Sequence, residues 1–199
     1  MNRSAHLYQE TTAERRHVVL CDENGSPQRT TDILDAHRPP GKLHRAFSIY
    51  LFSPDGQAML VQQRSLSKRL WPGVWANTCC SHPQWGETAA AAGSRRLQEE
   101  LGIILTDIVE GPAFVYHAED PAGNGVEYEY DTLVYGTFDG EPRPNPLEVA
   151  ACRWIPLDDL VLAMRKEPEQ FAPWFHLGLP QILTCLEQTG FLKVRQESP

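Results

Sequence analysis

Residues 87–103 read ETAAAAGSRRLQEELGI, and this stretch places the strongest constraint on the fold. Thr88 can accept a hydrogen bond from a free backbone N–H at a helix start, and four alanines that favour helix follow it. Gly102 suits the left-handed position that commonly ends a helix. The sequence therefore predicts an α-helix over residues 88–102.

The charged side chains near the end of this helix have informative spacings. Arg95 and Arg96 each precede a glutamate, Glu99 and Glu100, by four residues, which is typical of weak ion pairs on a solvated helix face. Glu87 lies eight residues before Arg95. The whole pattern, Glu-x7-Arg-x-Leu-x-Glu-Glu-Leu-Gly-Ile, resembles the Nudix box.

Two positions depart from that box. Ser81 stands where the family has glycine, and Arg96 stands where it has an acidic residue that helps to hold a divalent metal. The resemblance implies an α+β fold, a Nudix-like single domain over residues 17–190 with a mixed β-sheet flanked by helices. The loss of the acidic ligand argues against hydrolysis of a diphosphate.

The rest of the chain is compatible with such a domain. Alternating apolar patterns and turn residues predict strands at 17–22, 45–52, 58–64, 112–118, 126–138 and 150–155, and helices at 157–167 and 178–190. Scattered polar residues and prolines predict that residues 29–42 are mostly loop. The polar residues 1–16 are predicted to be a flexible segment, and residues 191–199 a C-terminal tail.

Composition excludes several classes of protein. The chain has 199 residues and a formal net charge of −8, which argues against nucleic acid or an anionic membrane as partner. No apolar run reaches the about 18 residues of a membrane span, and the N-terminus has no apolar core of a secretory signal. The five cysteines include no Cys-x-x-Cys pair, which favours free thiols in a reducing cytoplasm.

A second stretch, residues 67–83, reads SKRLWPGVWANTCCSHP. It resembles the signature of the type I isopentenyl-diphosphate Δ-isomerases, a Nudix branch with a degenerate box, and the resemblance extends over about residues 17–180. It implies an isomerase that interconverts isopentenyl diphosphate and dimethylallyl diphosphate, in isoprenoid precursor biosynthesis. Such a reaction adds a proton at one carbon and removes one from another, which requires an acid and a base in a dry pocket.

The resemblance assigns proton transfer to three residues. Cys80 matches the catalytic thiol of the family, although a cysteine taken alone is more often a small apolar core residue. Glu129 matches the carboxylate that exchanges protons opposite the thiol, and Tyr116 matches the phenol that supports that glutamate. Cys79 falls at a variable position of the family signature, so we interpret it as a small apolar core residue.

Glu127 and Glu129 are two apart in a predicted strand, so their carboxylates face the same side and would repel each other without a cation between them. The family places a divalent metal there, together with three histidines. Imidazoles and carboxylates suit Zn²⁺ or Mn²⁺. The implied ligands are His37, His44, His82, Glu127 and Glu129.

The family also implies how the diphosphate is held. Arg64, Lys68 and Arg96 match phosphate contacts, and Glu100 matches a ligand of a Mg²⁺ ion that bridges to the diphosphate. Trp174 matches an aromatic ring that faces the cationic intermediate. Some bacterial members of the family have a lysine where this chain has Ile33. Either another basic residue, such as Arg29 or Lys42, replaces it, or the local alignment is shifted.

Three alternatives to the isomerase remain from the residues themselves. The chain could be a Nudix pyrophosphohydrolase, a non-catalytic prenyl-diphosphate-binding domain, or a thiol peroxidase or cysteine hydrolase built on Cys80 and His82. The expected partner is a small-molecule diphosphate, and the expected oligomeric state is a monomer.

Overall fold

The computed structural model describes residues 17–191, so the predicted segment 1–16 and residues 192–199 of the predicted tail lie outside the described residues. Within that range the strands are β1 (His17–Cys21), β2 (Pro27–Asp32), β3 (His44–Phe52), β4 (Ala58–Arg64), β5 (Trp75–Ala76), β6 (Cys79–Ser81), β7 (Val109–Glu119), β8 (Val126–Thr137) and β9 (Val149–Pro156). The helices are α1 (Ile33–Ala36), α2 (Ala89–Leu101), α3 (Leu157–Lys166) and α4 (Pro173–Thr189), with a 3-10 turn at Pro168–Gln170.

Strand β3 organises the mixed sheet. Along one edge it pairs in parallel with β8 over its full length, from His44 opposite Glu129 to Phe52 opposite Thr137. Along the other edge it pairs in turn with β1, β6 and β4, all antiparallel. Because β6 occupies the middle of this edge, β4 diverges from β3 and the sheet opens there. The predicted mixed sheet is confirmed.

The two faces of β3 serve two cores. Phe47, Ile49 and Leu51 point to one side, where they pack with the apolar face of α2. Tyr50 and Phe52 point to the other side, where α3 and α4 cover the sheet. This alternation is what a strand with both faces buried requires. The outcome is the predicted sheet flanked by helices.

Helix α2 confirms the prediction for residues 88–102. The Thr88 side chain accepts a hydrogen bond from the Ala91 N–H and caps the first turn. Gly102, at φ 64°, ends the helix in the left-handed conformation. Each cap involves residues within one helical turn, so the sequence alone predicted both ends of the helix.

Two regions differ in local structure from the sequence-based expectations. Residues 29–42 are not mostly loop, because they contribute to the edge strand β2 and the short helix α1, which Asp32 caps. Strand β2 is exposed along most of its length, so it shows no apolar alternation in the sequence. The short strands β5 and β6, which flank Asn77 and Thr78, are also absent from the predicted strands.

The last helix begins earlier than predicted. Helix α4 starts at Pro173, five residues before the predicted start at residue 178. Gly178 and Pro180 lie inside it and disfavour helix locally. Burial of Trp174 and Phe175 against the sheet outweighs those two residues. Among the described residues, no helix is long and apolar enough to cross a membrane.

Candidate active site

A cavity of about 320 Å³ opens where β3, β6 and β8 meet the start of α4. It brings together most of the residues that the sequence singled out. Cys80, Glu129, Tyr116 and Trp174 line it, and the two groups expected to exchange protons therefore share one space. The other predicted site residues in its walls are His37, His82, Glu127, Arg64, Lys68 and Arg96.

Two predicted site residues do not line the cavity. His44 is fully buried at the start of β3, behind His82. Glu100 is 1% exposed on α2, where its carboxylate pairs with Arg96. The side-chain amide of Gln62 approaches the second oxygen of Glu100 at 3.5 Å. Glu100 therefore lies below the cavity rather than in its wall.

The sheet register assembles the carboxylates and histidines. Glu127 and Glu129 are two residues apart on β8, so both point to the same face. On β3, His44 is directly opposite Glu129. His37 is the residue that ends α1, and His82 follows β6. The ligand atoms of all five lie within 4.8 Å of one another.

The orientation of two imidazoles fits a metal site. The Nδ1 atoms of His37 and His44 contact the carbonyl oxygens of Ile33 at 2.6 Å and Lys42 at 2.7 Å. An Nδ1–H donor in each ring leaves the Nε2 lone pair directed into the cluster. The Nε2 atoms of His44 and His82 lie only 3.2 Å apart. A divalent ion that accepts both lone pairs would satisfy this arrangement, so the donor set fits a metal.

The two oxygens of Glu129 have different partners. Oε1 lies 3.0 Å from His82 Nε2 and 3.5 Å from His44 Nε2, inside the histidine cluster. Oε2 accepts a hydrogen bond from the Tyr116 hydroxyl at 2.5 Å. Burial opposes ionisation of Glu129, but the His44 and His82 contacts hold its pKa well below the usual range. Burial and the neighbouring charge of Glu129 raise the pKa of Glu127.

The thiol of Cys80 lies in the wall of the cavity. Burial raises its pKa to about 12, and the nearby Asp131 adds to the effect. At neutral pH the sulfur therefore keeps its proton, whereas Glu129 is ionised. The site holds one protonated and one deprotonated group, which is the pairing that proton transfer between carbons requires.

Five cationic side chains line the cavity, and three of them pair with carboxylates. Lys68 and Arg96 both contact Glu148, and Arg96 also contacts Glu99 and Glu100. Burial opposes ionisation of Glu148, but Lys68 and Arg96 lower its pKa to about 2. The complete set of cations is Arg64, Lys68, Arg69, Arg95 and Arg96.

Arg64 and Arg95 have distinct settings. The Arg64 guanidinium donates to the carbonyl oxygens of Trp71 and Leu70 and lies over the Trp174 ring, 5.2 Å from its centroid. Arg95 contacts Glu87 through two nitrogens, at 3.0 and 2.8 Å. Because Glu87 also accepts from the Gln84 backbone, it braces the loop before α2.

Sequence reasoning missed two polar residues of the site, Glu148 and Asp131. Glu148 gave no signal, because its contacts with Lys68 span 80 positions of the chain. Asp131 continues the alternation of Glu127 and Glu129 on β8, and that signal was available in EYEYD. Its carboxyl accepts a hydrogen bond from Ser48 at 2.7 Å, and burial raises its pKa well above the usual value.

Ile33, the position at which the resemblance implied a basic residue, lines the cavity. Among the basic residues nearby, Arg69 lines the same cavity and donates to the Asn124 carbonyl. Arg29 and Lys42 are absent from the cavity wall as the structure describes it.

Known proteins resemble this chain in sequence over most of its length. The sequence profile of the NUDIX domain matches residues 42–175. The chain is 44% identical over 157 residues to the isopentenyl-diphosphate Delta-isomerase of Nocardia farcinica, covering 79% of this chain and 89% of that protein. The enzyme of the same name from Streptomyces coelicolor is 44% identical over 164 residues, or 82% of each chain. That of Serratia proteamaculans is 42% identical over 160 residues, covering 79% and 85%.

Solved structures resemble the fold at lower identity. A crystal structure of a Deinococcus radiodurans protein superposes with a TM-score of 0.59 at 20% identity, covering 75% of this chain and 89% of that one. A Nudix hydrolase from M. smegmatis gives a TM-score of 0.53 at 18% identity, covering 80% and 96%. At such identities the likeness supports the Nudix fold alone.

Proposed function

Because the chain belongs to the NUDIX domain family and, within it, to the isopentenyl-diphosphate Delta-isomerases, it is an isomerase, and we propose how its residues move the double bond. Cys80 and Glu129 exchange protons with the two carbons from opposite sides of the five-carbon chain. The observation that carries this assignment is the shared cavity, in which a neutral thiol and an ionised carboxylate face one space. Hydrolysis of the diphosphate is not favoured.

Cys80 and Glu129 have complementary protonation states at neutral pH. The half-buried thiol of Cys80 holds a proton that it can donate to an alkene carbon, and the Glu129 carboxylate can accept one from the neighbouring carbon. The reverse reaction exchanges the two roles. Tyr116 donates its hydroxyl hydrogen to Glu129 Oε2, and so it holds the oxygen that reacts and stabilises its charge. Trp174 presents an aromatic ring to the electron-poor carbon.

The metal site supports the carboxylate. His37, His44, His82, Glu127 and Glu129 would hold Zn²⁺ or Mn²⁺. When bound, such an ion fixes the orientation of Glu129 and lowers its basicity. The same residues contact one another directly, and His37 Nε2 lies 2.7 Å from a carboxylate oxygen of Glu127.

The diphosphate binds at the cationic side of the cavity. Arg64, Lys68 and Arg96 would contact its oxygens. Glu100, which lies below the cavity, would hold a Mg²⁺ ion that accompanies the diphosphate once its carboxylate separates from Arg96. The Nε atom of Arg96 is buried and has no hydrogen-bond partner within residues 17–191. For phosphate oxygens to bind Arg96, the ion pairs of its guanidinium with Glu148 and Glu100 would have to lengthen.

We also propose the setting of the reaction. The substrate is a small-molecule diphosphate, the protein acts as a monomer, and it takes no nucleic acid or membrane as partner. A catalytic thiol that must stay reduced is suited to the cytoplasm. The five cysteines are all free in the structure.

The test is deuterium exchange. Purified protein loaded with Zn²⁺ or Mn²⁺ is incubated with isopentenyl diphosphate and Mg²⁺ in D₂O, and we expect deuterium in the allylic product. Cys80→Ala and Glu129→Gln should each lose about 10²–10⁴-fold in turnover. Cys79→Ala is the matched control, because that neighbouring thiol lies outside the cavity wall in the described structure. Turnover near the wild-type rate in Cys80→Ala or Glu129→Gln would contradict the roles, and release of phosphate would favour the hydrolase.

A further inference from the structure

Asn77 lies beside the reactive thiol and has no role in the proton transfer described so far. It is fully buried between β5 and β6, and its side chain makes four hydrogen bonds. Its amide nitrogen donates to the carbonyl oxygens of Ile49 at 3.1 Å and Cys79 at 3.0 Å. Both amide hydrogens are therefore used on the backbone.

These two donor bonds fix which way the amide points. A rotated amide would place its oxygen against the Ile49 and Cys79 carbonyl oxygens, which cannot donate. The Asn77 oxygen must therefore face the opposite side, towards the cavity wall. There it accepts from the Cys80 thiol at 2.9 Å and from the Trp174 indole N–H at 3.1 Å.

The sulfur of Cys80 has a second partner in the same group. The Trp174 indole nitrogen also lies 3.1 Å from that sulfur. The S–H thus has an acceptor, and the sulfur lone pairs have a donor. Sulfur, amide oxygen and indole nitrogen form a closed triangle with sides of 2.9, 3.1 and 3.1 Å.

Hydrogen bonds hold in place both the chain next to Asn77 and the chain just before Trp174. The Thr78 N–H donates to the Ile49 carbonyl at 3.0 Å, and the Thr78 hydroxyl links β3 with β4. The chain before Trp174 is held to β5, since the Ala172 N–H donates to the Trp75 carbonyl at 2.9 Å. Motion of the cysteine side chain would break contacts at both ends.

We propose that Asn77 is a positioning residue that, together with the indole N–H of Trp174, clamps the sulfur of Cys80 at the distance from Glu129 that proton transfer needs. The inference rests on the proposed isomerase function. It gives Trp174 a second task, carried by its N–H edge rather than its ring face. A small displacement of a reacting atom slows proton transfer, so the clamp should act on turnover and not on substrate binding.

The first test uses a readout independent of activity. The infrared spectrum of the Zn²⁺-loaded protein, minus that of Cys80→Ala, isolates the S–H stretch of Cys80 from the other thiols. A hydrogen-bonded S–H absorbs at lower frequency than a free one. We expect the band to move to higher frequency in Asn77→Ala, measured against Asn77→Ala with Cys80→Ala. An unmoved band in folded Asn77→Ala would overturn the clamp.

The second test separates kcat from KM. Asn77→Ala should lower kcat by about tenfold with KM within about twofold of wild type, as expected for one lost hydrogen bond that acts on the transition state. If that variant fails to fold, replacement of Trp174 by benzothienylalanine decides the matter, because it keeps the bicyclic ring and removes only the N–H. Wild-type kcat in the Trp174 replacement, or a raised KM with unchanged kcat in either variant, would refute the positioning role.

Tyr50→Phe is the matched control. The Tyr50 hydroxyl is also buried on the same side of β3, but it has no hydrogen-bond partner in the described part of the chain. Its removal should change neither the S–H band nor kcat. Failure of the proposed function is distinguishable, because a wild-type protein without isomerase activity would still show the shifted band if the clamp exists.

Discussion

At the scale of single residues, the site contains two carboxylates, Glu129 and Glu148, whose two oxygens contact different partners. Glu129 directs one oxygen to the histidines and the other to Tyr116. Glu148 divides its contacts between Lys68 and Arg96. In each case hydrogen bonds and opposite charges keep a buried carboxylate ionised, against the desolvation that favours its neutral form.

Tyr116→Phe should lower kcat by about 10–100-fold, because it removes one hydrogen bond to the ionised Glu129, the group that we propose exchanges a proton. KM for isopentenyl diphosphate should change little, since the cations proposed to hold the diphosphate, Arg64, Lys68 and Arg96, are untouched. Steady-state kinetics measure both values. Tyr128→Phe is the control, because Tyr128 faces the other side of β8, against His117. An equal loss in both variants would contradict a role specific to Tyr116.

Glu148→Gln should destabilise the protein most at neutral pH. The pKa of Glu148 is lowered in the folded state from 4.5 to about 2, so its ionised form stabilises the fold above pH 4.5. That contribution, about 1–3 kcal/mol after allowance for desolvation, is lost as pH falls towards 2. Denaturant unfolding at several pH values should show the wild type and the variant converging in acid.

Glu141→Gln, at an exposed site on the segment that leads to β9, is the control for that series. It should leave the pH profile as in the wild type. A difference in unfolding free energy between wild type and Glu148→Gln that grows in acid would contradict the stabilising role of the ionised Glu148.

At the scale of elements, the site is supported by short segments that the sheet holds in register. Strand β6 is only three residues long, yet it pairs with the centre of β3 and so places Cys80 opposite Ser48. Helix α2 carries Arg96 and Glu100 on the face that it buries. Its own stability rests on its two caps and on packing against β3.

Thr88→Ala should lower the free energy of unfolding by about 1 kcal/mol, because the Ala91 N–H loses its acceptor. The loss is limited, since Glu110 on β7 independently accepts from the Ala90 N–H at 2.9 Å. Urea denaturation measures the change. Thr88→Ser keeps the hydroxyl and should stay within a few tenths of a kcal/mol of wild type; a loss equal to that of Thr88→Ala would mean that the methyl group, not the cap, matters.

At the scale of the whole molecule, distant parts of the chain meet in one cluster of possible metal ligands, His37, His44, His82, Glu127 and Glu129. Its ligands come from the end of α1, the start of β3, the residue after β6 and the first half of β8. His37 and Glu127 are 90 positions apart. An ion bound to all five residues would link the β1–β3 region to the β7–β8 hairpin, and it would bind the folded state only.

Removal of this ion should therefore lower both activity and thermal stability. With free metal at about a hundred times its dissociation constant, binding adds roughly 2.7 kcal/mol, or a Tm shift of roughly 5–10 °C. Dialysis against a strong chelator followed by thermal unfolding measures the shift. Zn²⁺ or Mn²⁺ should restore Tm, whereas Mg²⁺ alone should not, because it avoids imidazole ligands. An unchanged Tm after complete metal removal would contradict the site.

The amino-acid sequence by itself determined the elements whose causes are local. The ends of α2 follow from Thr88 and Gly102, and the strand pattern of β3 follows from its own run of apolar residues. The Nudix-like fold, the isomerase family and the grouping of Glu127 with Glu129 were also readable, because short spacings carry them.

Only the tertiary structure decided which distant residues meet. The place of Glu148 between Lys68 and Arg96, the burial of Glu100 below the cavity, and the Asn77–Cys80–Trp174 contacts depend on the register of β3 with β6 and β8. The early start of α4 depends on burial of Trp174 and Phe175, which outweighs Gly178 and Pro180. Long-range pairing and burial act between segments, so no periodicity within one segment records them.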